Sequence, residues 1–212
     1  METRLEEILR YLGCKGAPDA QLQTIINRSI QALGQHATPR SVWATFPLQM
    51  EKEALAFAGI TIQSQALATH LQDCTQIILF AATLGPEVDR LQARWSKTDM
   101  SAACVLQACA ASAIECYCDA CEANFSQQAA EKSLYLTSRF SPGYGDFSIQ
   151  HQVDLLRILQ ADKRIGLSCT ASYMLTPLKS VTALIGLHPQ PQPCAPHKCI
   201  LCGNQTCPYR KE

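Results

Sequence analysis

The sequence predicts an α+β fold: a single domain with a mainly antiparallel twisted sheet flanked by helices, followed by a short cysteine-rich tail. Three observations carry this expectation. Strand-like and helix-like stretches follow one another without a regular βαβ rhythm. The stretch from 100 to 125 contains neither proline nor glycine and is rich in Ala, Ser and Cys, which marks a long buried helix whose small side chains admit close neighbours. Around residue 188 the composition changes, and "HPQPQPCAPHKCILCGNQTCPYRKE" is dense in proline and cysteine with little to bury. The chain therefore divides into a domain over 1–187 and a Pro/Cys-rich tail over 188–212.

The elements are justified in order. Leu5, Ile8, Leu9 and Leu12 follow helical spacing, and Gly13 stops the run. A second helix is predicted over 19–35, opened by Pro18 and Asp19. "SVWATFPLQ" and "AFAGITIQS" are β-branched and aromatic and read as strands. A short helix over "QALATHLQ" leads to a buried strand at "QIILFAATLG", and Pro86 opens a helix through about Trp95. After the long helix, "LYLTSRF" reads as a strand entering the turn "SPGYGD", and "SIQHQVDLLRILQ" as a helix capped by Ser148. "RIGLSCT", "SYMLTP" and "KSVTALIGL" then read as strands.

Composition excludes some functions. Lys plus Arg and Asp plus Glu balance at 18 each, so no basic excess supports contacts to nucleic-acid phosphates. Charged residues make up 17% of the 212, below the roughly 25% of a typical domain. The N-terminus is acidic and amphipathic, unlike a signal peptide, and uninterrupted apolar runs such as "IILFAATLG" fall short of the roughly 18 residues of a membrane span. The expectation is a cytoplasmic protein that contacts neither nucleic acid nor membrane. Twelve cysteines in a reducing compartment point to metal binding ahead of disulfides.

Cys194, Cys199, Cys202 and Cys207 are spaced x4, x2, x4 in a segment too short and polar to build a core. Four clustered thiolates suit a zinc site or a [4Fe–4S] cluster, with His197 able to replace one ligand. Spacing alone does not separate the metals, and an unligated tail is the alternative. Cys104, Cys109, Cys116, Cys118 and Cys121 of the long helix are expected to pack as small hydrophobes, as are Cys14, Cys74 and Cys169.

Glu115, on the same mostly apolar helix, needs a cation or hydrogen bonds if buried. It reads either as a structural or solvent-facing carboxylate or as the acceptor for a ligand's ammonium group. Arg139 offers a bidentate fork for a carboxylate. In the adjacent turn Pro142 presets one angle, Gly143 and Gly145 permit positive φ, and Tyr144 adds a ring with a hydroxyl. A plain surface turn with a solvated arginine is the alternative to a ligand cradle.

"RFSPGYGDF" (139–147), followed after a helix by "IGLSCTASYMLTPLKSVTALIG" (165–186), resembles the activation domain of cobalamin-dependent methionine synthase. The resemblance covers about 100–189 well and 1–99 only in general character. It implies that Arg139 binds the carboxylate of S-adenosylmethionine, that Ser141, Pro142, Gly143 and Tyr144 line its adenosine and amino-acid moieties, and that Glu115 sits near its ammonium group. Relatives usually carry Glu where this chain has Ala171, and some carry aromatic residues where it has Leu184 and Ile185, so the methyl end of the pocket differs. No Asp-x-His-x-x-Gly motif for holding cobalamin occurs, so the resemblance implies that the corrinoid lies on a separate protein.

The implied function is that of a stand-alone activation subunit. It binds S-adenosylmethionine and supports reductive methylation of cob(II)alamin on a separate cobalamin-dependent methionine synthase, with an electron donor such as flavodoxin or ferredoxin. The expected contribution is orientation of the sulfonium methyl, with no general acid, base or nucleophile. An iron–sulfur tail would admit the electron. The alternatives are a non-enzymatic adaptor with a structural metal knuckle, and a reactivator of another corrinoid methyltransferase.

Overall fold

The computed structural model describes residues 1–190. Its architecture is the predicted one, helices around an antiparallel sheet, with several elements divided differently from the sequence reading.

Helix α1 covers Leu5–Tyr11 and α2 covers Ala20–His36, the latter capped by Asp19, whose carboxylate accepts from the Leu22 amide. Strand β1 is Arg40–Pro47. The single strand predicted over 56–64 instead spans the hairpin between the last two strands of a three-stranded meander: β2 (Gln49–Glu51), β3 (Ala54–Phe57) and β4 (Ile60–Gln63). The break is at Ala58 and Gly59, both at positive φ (48° and 78°), the geometry of a two-residue hairpin turn that alternation alone did not reveal. Helix α3 (Gln65–His70), strand β5 (Gln76–Thr83), helix α4 (Pro86–Thr98) and helix α5 (Met100–Ala130) follow.

Beyond α5 the predicted strands shrink. β6 holds only Tyr135–Leu136, after which the chain leaves the ladder and returns for one bridge, Phe140 to Leu184. Ser148 caps a 3₁₀ turn, Ile149–His151, that runs into α6 (Gln152–Leu159). Where a strand from Arg164 was expected, α7 (Ala161–Ile165) closes on Gly166 at φ 70°, leaving β7 with Ser168–Cys169. β8 (Leu175–Thr176) pairs with β7, and β9 runs Ser180–His188.

The main sheet has the order β1-β5-β9-β6, with every neighbouring pair antiparallel. Residues of β5 point alternately to two cores. Ile78, Phe80 and Ala82 face the layer of α1, α2, α4 and α5, whereas Ile77, Leu79 and Ala81 face α3, α6, α7 and the meander. Both faces being covered, the strand reads as an uninterrupted apolar run and not as an alternation.

By length and composition α5 could cross a membrane, but 67% of its most apolar stretch is buried within the fold, as in the core helix of a globular domain. Cys109, Cys116, Cys118 and Cys121 are buried along it as expected, and burial pushes the Cys109 thiol up to about 12. Cys104 and Cys14 are exposed, contrary to expectation; Cys104 shares the outer helix face with Gln107. Among the described residues no cluster of His, Cys, Asp and Glu is placed to hold a metal ion. Cys194, Cys199, Cys202 and Cys207 lie outside the described residues.

Candidate functional site

The segment 139–147 is held against the sheet edge by its own backbone. The amides and carbonyls of Phe140 and Leu184 exchange hydrogen bonds at 2.9 Å. The Tyr144 amide donates to Ser141 O at 3.1 Å, Phe147 N to Tyr144 O at 2.9 Å, and Gly143 N to Phe147 O at 2.7 Å. Gly143 and Gly145 sit at φ 95° and 55°, so the positive angles expected of the turn are realised.

Asp146 ties this loop to α3. Its Oδ1 accepts from Ser64 Oγ at 2.5 Å and from the Ala66 amide at 3.1 Å, and its Oδ2 from the Gln65 amide at 2.8 Å. The Ser64 hydroxyl and the Gln65 amide hold the Asp146 carboxyl below its ordinary value, so this tie is present at neutral pH and is lost as pH falls through that depressed value. Close approach explains the second glycine: a Cβ on Gly145 would lie 2.7 Å from the Ala66 Cβ. Gly145→Ala, strained at its φ as well, is expected to cost about 1–2 kcal/mol in chemical denaturation.

Arg139 leaves the start of the loop and meets α5. Its Nη2 donates to Glu115 Oε2 and to Asp119 Oδ1, each at 2.8 Å, and its Nη1 lies 2.5 Å from Glu122 Oε1. The three carboxylates occur at i, i+4 and i+7, one stripe of the helix. Asp119 turns its other oxygen to Arg4, whose Nη2 donates at 2.6 Å. Glu7 of α1 extends the group, 3.6 Å from Arg4 and 3.8 Å from Arg10. Among the described residues, the carboxylates Glu7, Glu115, Asp119 and Glu122 thus share the guanidinium groups of Arg4, Arg10 and Arg139.

The Arg139 side chain is only 16% exposed. Burial disfavours its charge, but Glu122, Glu115 and the hydrogen bond to Asp119 outweigh it and hold the guanidinium above its ordinary pKa. For Asp119, burial alone would raise the carboxyl, and the hydrogen bonds from Arg4 and Arg139 overcome it and hold the group below its ordinary value. The Tyr144 phenol is raised by desolvation and by Glu115, against Arg139 and a hydrogen bond with Ser141. It stays protonated at neutral pH, on a ring that is 48% exposed.

The structure therefore brings Glu115 and Arg139 into direct contact and places Ser141 and Tyr144 beside them, with Pro142 buried and Gly143 at the surface. The arginine fork is occupied by the chain's own carboxylates, the ion-pair alternative for Glu115. Sequence reasoning missed Asp119, Glu122 and Asp146. The first two were available as carboxylates on the Glu115 stripe, whereas nothing local signalled that Asp146 reaches a helix 80 residues upstream. A concavity of about 290 Å³ beside Ser41, Trp43 and Cys121 contains none of the predicted site residues.

The fold matches a solved structure described as the crystal structure of the MetH reactivation domain bound to AdoHcy, with a TM-score of 0.64. Sequence identity is 15%, over 91% of this chain and 72% of that one. None of the curated proteins matches the sequence. The family described as the vitamin B12 dependent methionine synthase activation domain matches residues 64–199. That span begins at Ser64, the hydroxyl that receives Asp146, well before the stretch from about 100 in which the sequence resemblance was clear. With more than half of its length matched, the chain belongs to the activation-domain family of vitamin B12-dependent methionine synthase.

Proposed function

We propose that the chain binds S-adenosylmethionine where loop 139–147 meets the Glu115–Asp119–Glu122 stripe. It would present the sulfonium methyl to a corrinoid carried by a separate methionine synthase. The observation that carries this reading is the convergence of three carboxylates, Glu115, Asp119 and Glu122, on the Arg139 guanidinium beside the glycine turn. S-adenosylmethionine has one carboxylate against an ammonium and a sulfonium, a net positive charge that such a site complements.

Entry of the ligand is an exchange of partners. The ligand's carboxylate takes the Arg139 fork, and the carboxylate it displaces, Glu115 on this reading, takes the ligand's ammonium group. The number of ion pairs does not fall, so the saturated fork is compatible with binding. Ser141 to Tyr144 line the ligand through backbone groups and the exposed Tyr144 ring. The corrinoid supplies the methyl-accepting cobalt when its protein is docked. The residues of this chain bind and orient, and none is assigned proton transfer. The neighbour's bound AdoHcy is consistent with this ligand class.

The expected result is saturable binding of S-adenosylmethionine in calorimetry, weakened by added salt and roughly tenfold by Glu115→Gln. Absence of binding by the folded chain would remove this reading. It would favour the adaptor, which the occupied arginine fork already permits. We extend the proposal to the tail. Its four cysteines form a metal site that, as a [4Fe–4S] cluster, would pass an electron from a flavodoxin or ferredoxin, and anaerobically purified protein should then carry about four iron atoms. Zinc in its place would leave the tail a structural knuckle.

A further inference from the structure

Strand β1 lies at one edge of the main sheet and, among the described residues, pairs with β5 alone. The Leu48 amide carries that ladder one residue further, donating to Thr75 O at 3.0 Å. Hydrogen-bonding direction alternates along a strand. Arg40, Val42, Ala44 and Phe46 therefore turn their main-chain groups to β5, and Ser41, Trp43 and Thr45 turn theirs outward. Among the described residues no hydrogen bond reaches those outward amides and carbonyls. Arg40 and Pro47 guard the two ends, but the stretch between them, SVWATF, has no charge and no proline to turn another strand away.

We propose that the β1 edge docks an extended segment of a partner protein, which adds as an antiparallel strand and places a lysine or arginine side chain in the concavity beside Trp43. The site is separate from the S-adenosylmethionine reading and does not depend on it.

The same three residues that face outward also direct their side chains to the α5 side of the sheet. Val42, Ala44 and Phe46 join the second core, so Ser41, Trp43 and Thr45 point the other way. Trp43 packs its ring on Phe125 of α5, centroids 5.1 Å apart, and stays 37% exposed. On an added strand, the residue opposite Trp43 has its Cβ about 5 Å away on that same face. It thus enters the concavity of about 290 Å³ between β1 and the last turns of α5.

Charge selects the side chain that enters. The lining holds no Lys, Arg or His; Glu131 is its charged group, and the carboxamides of Asn124, Gln127 and Gln128 add acceptors. The concavity also lies at the C-terminal end of α5, whose last turn has no basic residue to offset the negative end of the helix dipole. A cation on a long apolar stem complements this arrangement, its stem lying on the indole and its head reaching Glu131. Main-chain pairing along β1 supplies affinity for any extended peptide, and the concavity supplies the preference for a basic one.

The test adds a capped TVTKTVT peptide to the full-length chain and follows amide hydrogen exchange. Saturable binding is expected, with exchange at Ser41, Trp43 and Thr45 slowed roughly tenfold. Glu in place of Lys in the peptide should weaken binding roughly fivefold, and Glu131→Gln should cut that preference to about twofold. Thr45→Pro removes an outward amide and none from the β5 ladder, a placement that edge strands accept, and should weaken binding roughly tenfold. If that variant unfolds the sheet, the Glu131→Gln comparison still decides. Three outcomes overturn the proposal: no saturable binding by the folded native chain, equal binding of the Lys and Glu peptides, or protection of the three amides that grows with protein concentration in the absence of peptide. The last would show that a second copy of the chain covers the edge.

Discussion

Arg139→Ala is expected to lose S-adenosylmethionine binding and about 2–3 kcal/mol of stability, with the stability loss shrinking as pH is lowered. Removing one member of a buried ion-pair group costs about 3–5 kcal/mol, because the remaining charges stay desolvated and unpaired. Here the three carboxylate partners are 24–38% exposed, so water offsets part of that cost. Arg4 still serves Asp119, but Glu115 and Glu122 lose a neutralising neighbour on one helix stripe.

The pH dependence has a definite sign. In the native chain Asp119 is depressed, so it contributes stability above its unfolded value near 3.8 and loses that contribution as pH falls through its folded value. In the variant, repulsion among the carboxylates favours protonation. The variant therefore loses less than the native chain on acidification, and the gap in denaturation midpoint should be widest near pH 7 and narrow towards pH 4. A gap independent of pH would mean that Arg139 acts through packing of its stem.

Much of the fold was legible because its elements end on local chemistry. Asp19 caps α2, Pro86 opens α4 and Gly13 closes off α1, each through groups within a few residues. The failures share one cause. Ala58–Gly59 turns a predicted strand into a hairpin, and Arg164 and Ile165 take helical geometry because α7 packs Ala161 and Ile165 into the second core. Short apolar runs do not by themselves distinguish a strand from a helical turn.

The site divides similarly. The tight turn that follows Arg139 was legible from the sequence, and so was the need of Glu115 for a cation or hydrogen bonds. What was not legible was that its cation is Arg139, or that Asp119 and Glu122 share it. The stripe Glu115, Asp119, Glu122 follows from helical periodicity, but its direction towards Arg139 depends on α5 lying across the sheet with Ile114, Cys118 and Cys121 inward. The tie from Asp146 to α3 is wholly tertiary. In each case the missing information was orientation, not residue type.

That tertiary dependence sets the second large expectation, for Phe147, the hydrophobic anchor of the loop. Its side chain is 1% exposed and its ring stacks on His151 at 5.6 Å and meets Phe140 at 6.3 Å. Its backbone also closes the turn, donating to Tyr144 O and accepting from Gly143 N. Phe147→Ala leaves a cavity under the loop and should cost about 3–4 kcal/mol in urea denaturation, since the rigid ladder around Leu184 cannot collapse into the space. Affinity for the proposed ligand should fall with it, because Arg139, Gly143 and Tyr144 all hang from this segment. Phe147→Leu, which refills most of the volume, should recover more than half of both losses. No charge is removed, so the stability gap should stay constant between pH 4 and 7. That constancy separates an anchoring defect from the electrostatic defect of Arg139→Ala.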